Sequence, residues 1–330
     1  MMDESEKLDP SSCTGNGAHT FSCMKRIAAT TATSNSTVRS NDNSFRSRYL
    51  DKLGHHDGQA KKYLDQYLGE SVMDATRLAH YGLNYELPAN YRLTVYEILL
   101  GIIPCCKQAT SAILQERREQ CELLQHSLKL MRMIPPDSTL DSGPPEMWLQ
   151  MYLLEDGRLP YDLTTINSSS ASAQFLSIWS CMEELSEDPI VQYWLTRCFY
   201  KHMISAFRSH KAQFIDSLKK YLNQQDSDLL EHLKSSGLWE SLPLEDWFKS
   251  GFAIIFKGPA IFRLWDKVIS GSSMILTMAA CQLLRSFRRP LLSTQSSAAM
   301  LEKFSQISED TTQSILSLTL KRWQEAGNPN

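Results

Sequence analysis

From Phe45 onward, apolar residues recur every third and fourth position with polar residues between them. That spacing is the 3.6-residue period of helices that bury one face. Between Gln108 and Met133 the series Ile113, Leu114, Arg117, Cys121, Leu124, Leu128 and Met131 draws one face of a long helix, which Pro135 and Pro136 end. A second long helix is predicted from about Ile190 to Phe207, with Pro189 in its first turn. Shorter helices follow at Phe214 to Asn223, Asp226 to Ser235, Leu244 to Ile255, Ala260 to Ser270, Met274 to Phe287, Ala298 to Gln306 and Thr311 to Glu325. Gly237, Pro243, Gly258-Pro259, Gly271 and Arg289-Pro290 punctuate them. No run alternates as a half-buried strand would, and no segment repeats at a fixed period. The predicted fold class is all-α.

The pattern lapses in three places. Residues 1–43 are rich in Ser, Thr and Asn with few large apolar groups, too few to offset the entropy of ordering, and are read as a disordered tail. The remainder, 44–330, is read as one multi-helix domain of two helical subdomains meeting near 205–212. Pro135 to Pro145 is a linker by composition, and Arg158 to Ser172 is a polar loop of the length that tends to carry function.

Charge and composition narrow the function classes. A formal charge of −3 gives no electrostatic reason to expect nucleic acid or an anionic membrane, which leaves proteins as partners. Eight scattered cysteines without a Cys-x-x-Cys fit a reducing cytosol, and Cys105-Cys106 read as two small apolar side chains. The most apolar run, Met274 to Leu284, is interrupted by Gln282 and stopped by Arg285, well short of the roughly 18 residues a membrane span needs, so no membrane insertion is expected. Neither a Gly-rich phosphate loop nor a Gly-x-Ser-x-Gly elbow is present. His55-His56-Asp57 lacks metal-ligand spacing and reads as a solvated turn. No cofactor or metal is expected, and no self-contained enzymatic chemistry.

Three segments carry a resemblance. Leu87 to Pro104 holds Arg92 four residues before Tyr96 and ends Leu-Leu-Gly-Ile-Ile-Pro. Leu244 to Phe252, with Trp247, leads to Arg263-Leu264-Trp265-Asp266, and Tyr152 to Pro160 contains Glu155 three residues before Arg158. Together they resemble the TBC (Rab GTPase-activating) domain family, with Tyr96 standing where that family usually has Trp. The resemblance implies motif positions at Arg92, Trp247, Arg263, Trp265 and Asp266, an arginine finger at Arg158, and Glu155 as the acid that orients it. An arginine supplied in trans accelerates GTP hydrolysis on the order of 10³ to 10⁵-fold. The family's Tyr-x-Gln-Gly motif is missing; Gln174, in Ala171-Ser172-Ala173-Gln174-Phe175, is the glutamine candidate but lacks the flanking Tyr and Gly. Met182 to Asp188, Tyr193 to Arg197 and Leu264 to Ser272 are similar to the branch of the family found in the tuberous sclerosis complex. By that resemblance the chain is a non-enzymatic scaffold that binds a hamartin-like coiled coil and through it tuberin, in restraint of TOR signalling. It also implies a cytoplasmic protein recruited to lysosomal or vesicle surfaces through its complex. The competing expectation is a GTPase activator for a Rab that uses Arg158. The sequence leaves two candidate partner-binding helices, Gln108 to Met133 and the one carrying Tyr91 to Leu100, although each apolar face is also what a core requires.

Overall fold

A computed structural model describes residues 56–162, 166, 169–294 and 296–327, with side chains from residue 61 onward. The expected 1–43 tail and the side chains of the His55-His56-Asp57 cluster lie outside the described residues. Among the described residues the chain is helical without a named strand; Val72 and Cys106 form one isolated β-bridge. In order, the helices are α1 (His56–Gly69), α2 (Ala75–Asn84), α3 (Ala89–Leu99), α4 (Thr110–Leu130), α5 (Pro145–Glu155), α6 (Ser170–Met182) and α7 (Pro189–Gln225). There follow α8 (Ser227–Ser235), α9 (Leu244–Lys249), α10 (Ile261–Ile269), α11 (Ile275–Ser286), α12 (Arg288–Ser293), α13 (Ser297–Ser305) and α14 (Glu309–Glu325).

Their ends follow from local chemistry. Side-chain oxygens of Asp74, Ser169, Asp188, Asp226 and Ser308 accept first-turn N–H groups of α2, α6, α7, α8 and α14, satisfying donors that no earlier carbonyl can reach. Pro145 and Pro189 open α5 and α7, where a missing N–H costs nothing.

The helix α7 organises the core. It buries Tyr193, Trp194, Leu195, Phe199, Met203, Phe207, Phe214, Leu218 and Leu222 against α6, α9 and α11. The sequence pattern predicts two helices here, and α7 consists of two helical segments joined at a kink where His210 leaves helical geometry (φ −129°, ψ 23°). Nothing between Phe207 and Phe214 is Gly or Pro, so the chain bends without ending, and those two rings pack 5.9 Å apart across the bend. The boundary expected near 205–212 thus falls on a kink inside a helix. Helix α11 is buried continuously from Ile275 to Leu284 between α7 and α14. Its Gln282 donates to the Gln225 side-chain oxygen at 2.8 Å, which removes the penalty of burying an amide. No helix among the described residues is long and apolar enough to cross a membrane.

Two expectations fail at helix ends. The segment Leu244 to Ile255 is helical only to Lys249, because Gly251 takes φ +57° and its N–H and that of Phe252 turn back to Phe248 and Trp247 carbonyls. Arg289-Pro290, read as a break, lies inside α12, where Pro290 occupies the first turn.

Helix α4 departs from its predicted role as a core helix. Of the face drawn by the sequence, Cys121 and Leu128 are buried, whereas Leu114 and Met131 are exposed; Leu123 and Leu130, off that face, are 66% and 72% exposed. Packing on α5 and α7 covers one narrow side of this 21-residue helix and leaves the rest in solvent.

Candidate functional site

Two clusters collect the residues singled out from the sequence. The first is buried and joins positions far apart in the chain. Arg92 on α3 donates through Nε to Asp266 Oδ1 at 2.9 Å and through an amino group to Oδ2 at 3.1 Å; that amino group also reaches the Leu87 carbonyl at 2.9 Å. Tyr96, one turn along α3, donates to the same Asp266 Oδ1 at 2.7 Å and lies 3.1 Å from the Phe262 carbonyl. The i, i+4 spacing of Arg92 and Tyr96 therefore serves one carboxylate on α10. Burial pushes the Asp266 carboxyl upward, while Arg92 and the Tyr96 hydroxyl pull it back.

The remaining motif residues pack around this pair. Trp265 donates its indole N–H to the Gly251 carbonyl at 2.8 Å, and its ring lies 4.5 Å from that of Phe199. Trp247 is fully buried, edge-on to Phe304. Arg263 lies on the outer side of α10, 2.9 Å from Glu86 and 3.4 Å from the Ser317 hydroxyl. These contacts tie α3, α7 and α14 to α10, and α9 to α13. Their chemistry is architectural, since none of Arg92, Trp247, Trp265 or Asp266 reaches solvent appreciably.

The second cluster lies at the end of α5. There Gly157, at φ +66°, lets its own N–H return to the Leu154 carbonyl and that of Arg158 to Leu153, a Schellman ending. This turn lifts Arg158 off the helix. Its side chain is half exposed; Nε lies 2.5 Å from Asp156 Oδ2, and an amino group donates to the Tyr152 hydroxyl at 3.1 Å. The carboxylate on Arg158 is thus Asp156 and not Glu155, because the i, i+3 rule that favoured Glu155 applies only while the chain stays helical. Glu155 instead accepts two hydrogen bonds from Arg197 of α7, one of them at 2.5 Å from Nε, and lies 3.4 Å from the Tyr193 hydroxyl. Burial opposes the Glu155 charge, yet Arg197 more than compensates and holds its pKa below the usual carboxylate range. Lys201 reaches Asp156 at 3.4 Å.

Gln174 is linked to this cluster from the inside. It is 3% exposed, donates to Asp246 Oδ1 at 2.8 Å and to the Ser170 hydroxyl at 3.0 Å, and accepts from the Tyr200 hydroxyl at 2.9 Å. The Tyr200 ring packs edge-on to Tyr152, the residue that holds Arg158. Both ends of the Gln174 amide are therefore occupied below the surface from which Arg158 projects. Asp156, Tyr152, Tyr200 and Arg197 complete the site without having been assigned from the sequence; Asp156 and Tyr152 stood within the Tyr152 to Pro160 segment, whereas Tyr200 gave no local signal.

A family model for the Rab-GTPase-TBC domain matches residues 170–292. TBC1 domain family member 7 from Bos taurus is 33% identical over 286 residues, covering 86% of this chain and 96% of that protein. The chain belongs to the Rab-GTPase-TBC family. Proteins of the same name from Homo sapiens and Xenopus tropicalis are 32% and 33% identical over 286 residues each, covering 86% and 85% of this chain and 96% and 94% of theirs. Among solved structures, the Ypt/Rab-GAP domain of Gyp1p aligns at a TM-score of 0.53 with 14% identity, over 82% of this chain and 98% of that one. The Chlamydomonas flagellar RabGAP TBC domain gives 0.52 with 13% identity, over 84% and 96%. These two likenesses establish the TBC fold.

Proposed function

We propose that this TBC-family chain is a non-enzymatic scaffold subunit that binds a hamartin-like coiled-coil protein and, through it, tuberin, in restraint of TOR signalling. The observation that carries the non-enzymatic part is Gln174. Activation in the TBC manner needs an arginine and a glutamine presented together to the nucleotide, and this glutamine is buried with its amide fully engaged. The binding part is supported by α4, which runs 21 residues with Leu123 and Leu130, seven residues apart on one side, both exposed, a surface suited to helix-on-helix docking. Helix α3, the other candidate, spends Val95, Tyr96, Ile98 and Leu99 on the core. The 32–33% identity to proteins named TBC1 domain family member 7, over most of the chain, supports the same branch of the family. Recruitment to lysosomal or vesicle surfaces would follow from the complex and not from this chain.

The competing reading, activation of a Rab GTPase, is favoured by the half exposure of Arg158, whose ion pair with Asp156 is of the surface kind worth at most about 1 kcal/mol and so easily released. Single-turnover GTP hydrolysis across a Rab panel separates the two. The scaffold reading expects no acceleration with the wild-type chain; acceleration that Arg158→Ala abolishes would replace it with the catalytic one. Co-purification with a hamartin coiled-coil fragment tests the binding part, and absence of association would sink it.

A further inference from the structure

A cavity of about 250 Å³ is lined by residues of α10, of α14 and of the α2–α3 connection. Apart from Leu320 its lining is polar or charged, which does not suit an apolar ligand. Arg263 and Lys267 lie one turn apart on α10, and Ser317, Lys321 and Gln324 follow at i, i+4 and i+7 on α14, so each set shares a helix face. Three cations thus border the cavity against two carboxylates, and one of these, Asp266, already accepts from Arg92 and Tyr96. The other, Glu86, has a side chain 62% exposed. The cations have capacity to spare. Arg263 Nε lies 2.9 Å from Glu86 Oε1 without the alignment of a hydrogen bond, and its amino group reaches the Ser317 hydroxyl only at 3.4 Å. Lys267 is 4% exposed, and two of its three ammonium N–H groups donate to the Gly82 and Tyr85 carbonyls at 2.7 Å, which leaves one for a further acceptor. Lys321 is exposed and has no ion-pair partner among the described residues. Burial lowers the Lys267 pKa to about 8 although Asp266 and Glu86 oppose it, so its charge is undercompensated where it stands.

We propose that this cavity binds a phosphate monoester, held by Arg263, Lys321 and the buried Lys267, with the Ser317 hydroxyl and the Gln324 amide as neutral donors. Glu86 turns into solvent as the ligand takes its place beside Arg263. With Asp266 committed to Arg92 and Tyr96, the three cations then face the ligand alone, which suits a dianion. A carboxylate adds only the single charge that Glu86 already brings. A phosphate also offers several oxygens, two of which match the planar fork of an arginine. At about 250 Å³ the cavity is smaller than the roughly 300 to 1,000 Å³ that enclose a drug-sized molecule, so it takes the phosphate and little of what carries it. A soluble phosphorylated metabolite and a lipid headgroup share this chemistry.

The test is calorimetric titration of the full chain with glycerol 3-phosphate, and with acetate as the carboxylate comparison. Sedimentation with phosphatidylcholine vesicles carrying phosphatidic acid, a phosphate monoester, or phosphatidylserine at matched charge separates a lipid source from a soluble one. Glycerol 3-phosphate is expected to bind at least about tenfold more tightly than acetate if the source is soluble, and phosphatidic acid vesicles to bind in preference to phosphatidylserine if it is a lipid. For whichever probe binds, Arg263→Gln is expected to weaken binding about tenfold and the exposed Lys321→Gln several-fold, while Arg322→Gln, which removes a neighbouring cation outside the cavity, leaves it unchanged. Arg263→Lys keeps the charge, guards against misfolding and should lose less than Arg263→Gln. Absence of binding to every probe, acetate bound as tightly as glycerol 3-phosphate, or equal sedimentation with both vesicle types without soluble binding would overturn the proposal. So would equal losses in Lys321→Gln and Arg322→Gln.

Discussion

Tyr96→Phe removes one oxygen from the centre of the Arg92–Asp266 cluster and changes nothing else in volume or charge. Its hydroxyl is fully buried and donates to Asp266 Oδ1 at 2.7 Å. Hydrogen bonds to charged groups contribute about 1.5 to 3 kcal/mol. Asp266 Oδ1 keeps the Arg92 Nε–H at 2.9 Å, so the carboxylate is not orphaned, and the expected loss is about 2 kcal/mol, toward the lower part of that range. In urea, with a slope near ~3 kcal/mol/M for a chain of this size, the unfolding midpoint falls by about 0.7 M at unchanged slope. Arg92→Leu, which leaves Asp266 buried opposite an apolar side chain, costs more, about 3 to 5 kcal/mol. The double variant should depart from the sum, because both side chains donate to the same carboxylate and the loss of one changes what the other contributes. A Tyr96→Phe loss below about 0.5 kcal/mol at constant slope, or strict additivity with Arg92→Leu, would refute the claim that one carboxylate holds α3 to α10.

Two further outcomes concern glycines and pH. Gly157 and Gly251 both have positive φ, but a Cβ at Gly157 meets nothing within 4 Å, whereas one at Gly251 comes 3.0 Å from both Phe199 Cζ and Trp265 Nε1. Gly157→Ala should therefore cost about 1 kcal/mol for the backbone alone and Gly251→Ala at least about 2, read from urea midpoints; equal costs would contradict the packing described for α7 and α10. Glu97 has no ion-pair or hydrogen-bond partner for its carboxyl among the described residues, and burial pushes its pKa up to about 7. Because the folded value lies above the unfolded one, its contribution is fully present below about pH 4.5 and lost as pH rises through about 7. Glu97→Gln should leave stability unchanged near pH ~4 and raise it by about 1 to 2 kcal/mol at pH ~8, after discounting for partial exposure; a gain that is the same at both values would show that the carboxyl is solvated.

Much of the helical architecture was legible because each core helix repeats its apolar residues at the helical period. What escaped the sequence depended on geometry beyond one helix. The kink at His210 carries no Gly or Pro, so the two periodic segments show that helix lies on either side but not that they join directly without a loop. The partner of Arg158 was misjudged because the turn at Gly157 ends the regular spacing just before it. The state of Gln174 depends on Tyr200 and Asp246, 26 and 72 residues away, which no local motif connects to it. Exposure of α4 was equally hidden, since an apolar residue on a periodic face looks alike whether a neighbouring helix covers it or not.

In the proposed scaffold role the chain holds a coiled-coil partner without using its arginine. Titrating the Arg158→Ala chain with a hamartin coiled-coil fragment in a calorimeter tests it most directly. The predicted result is a saturable complex with the same affinity as wild type. Absence of binding to either form, or loss of binding on removing Arg158, would contradict it.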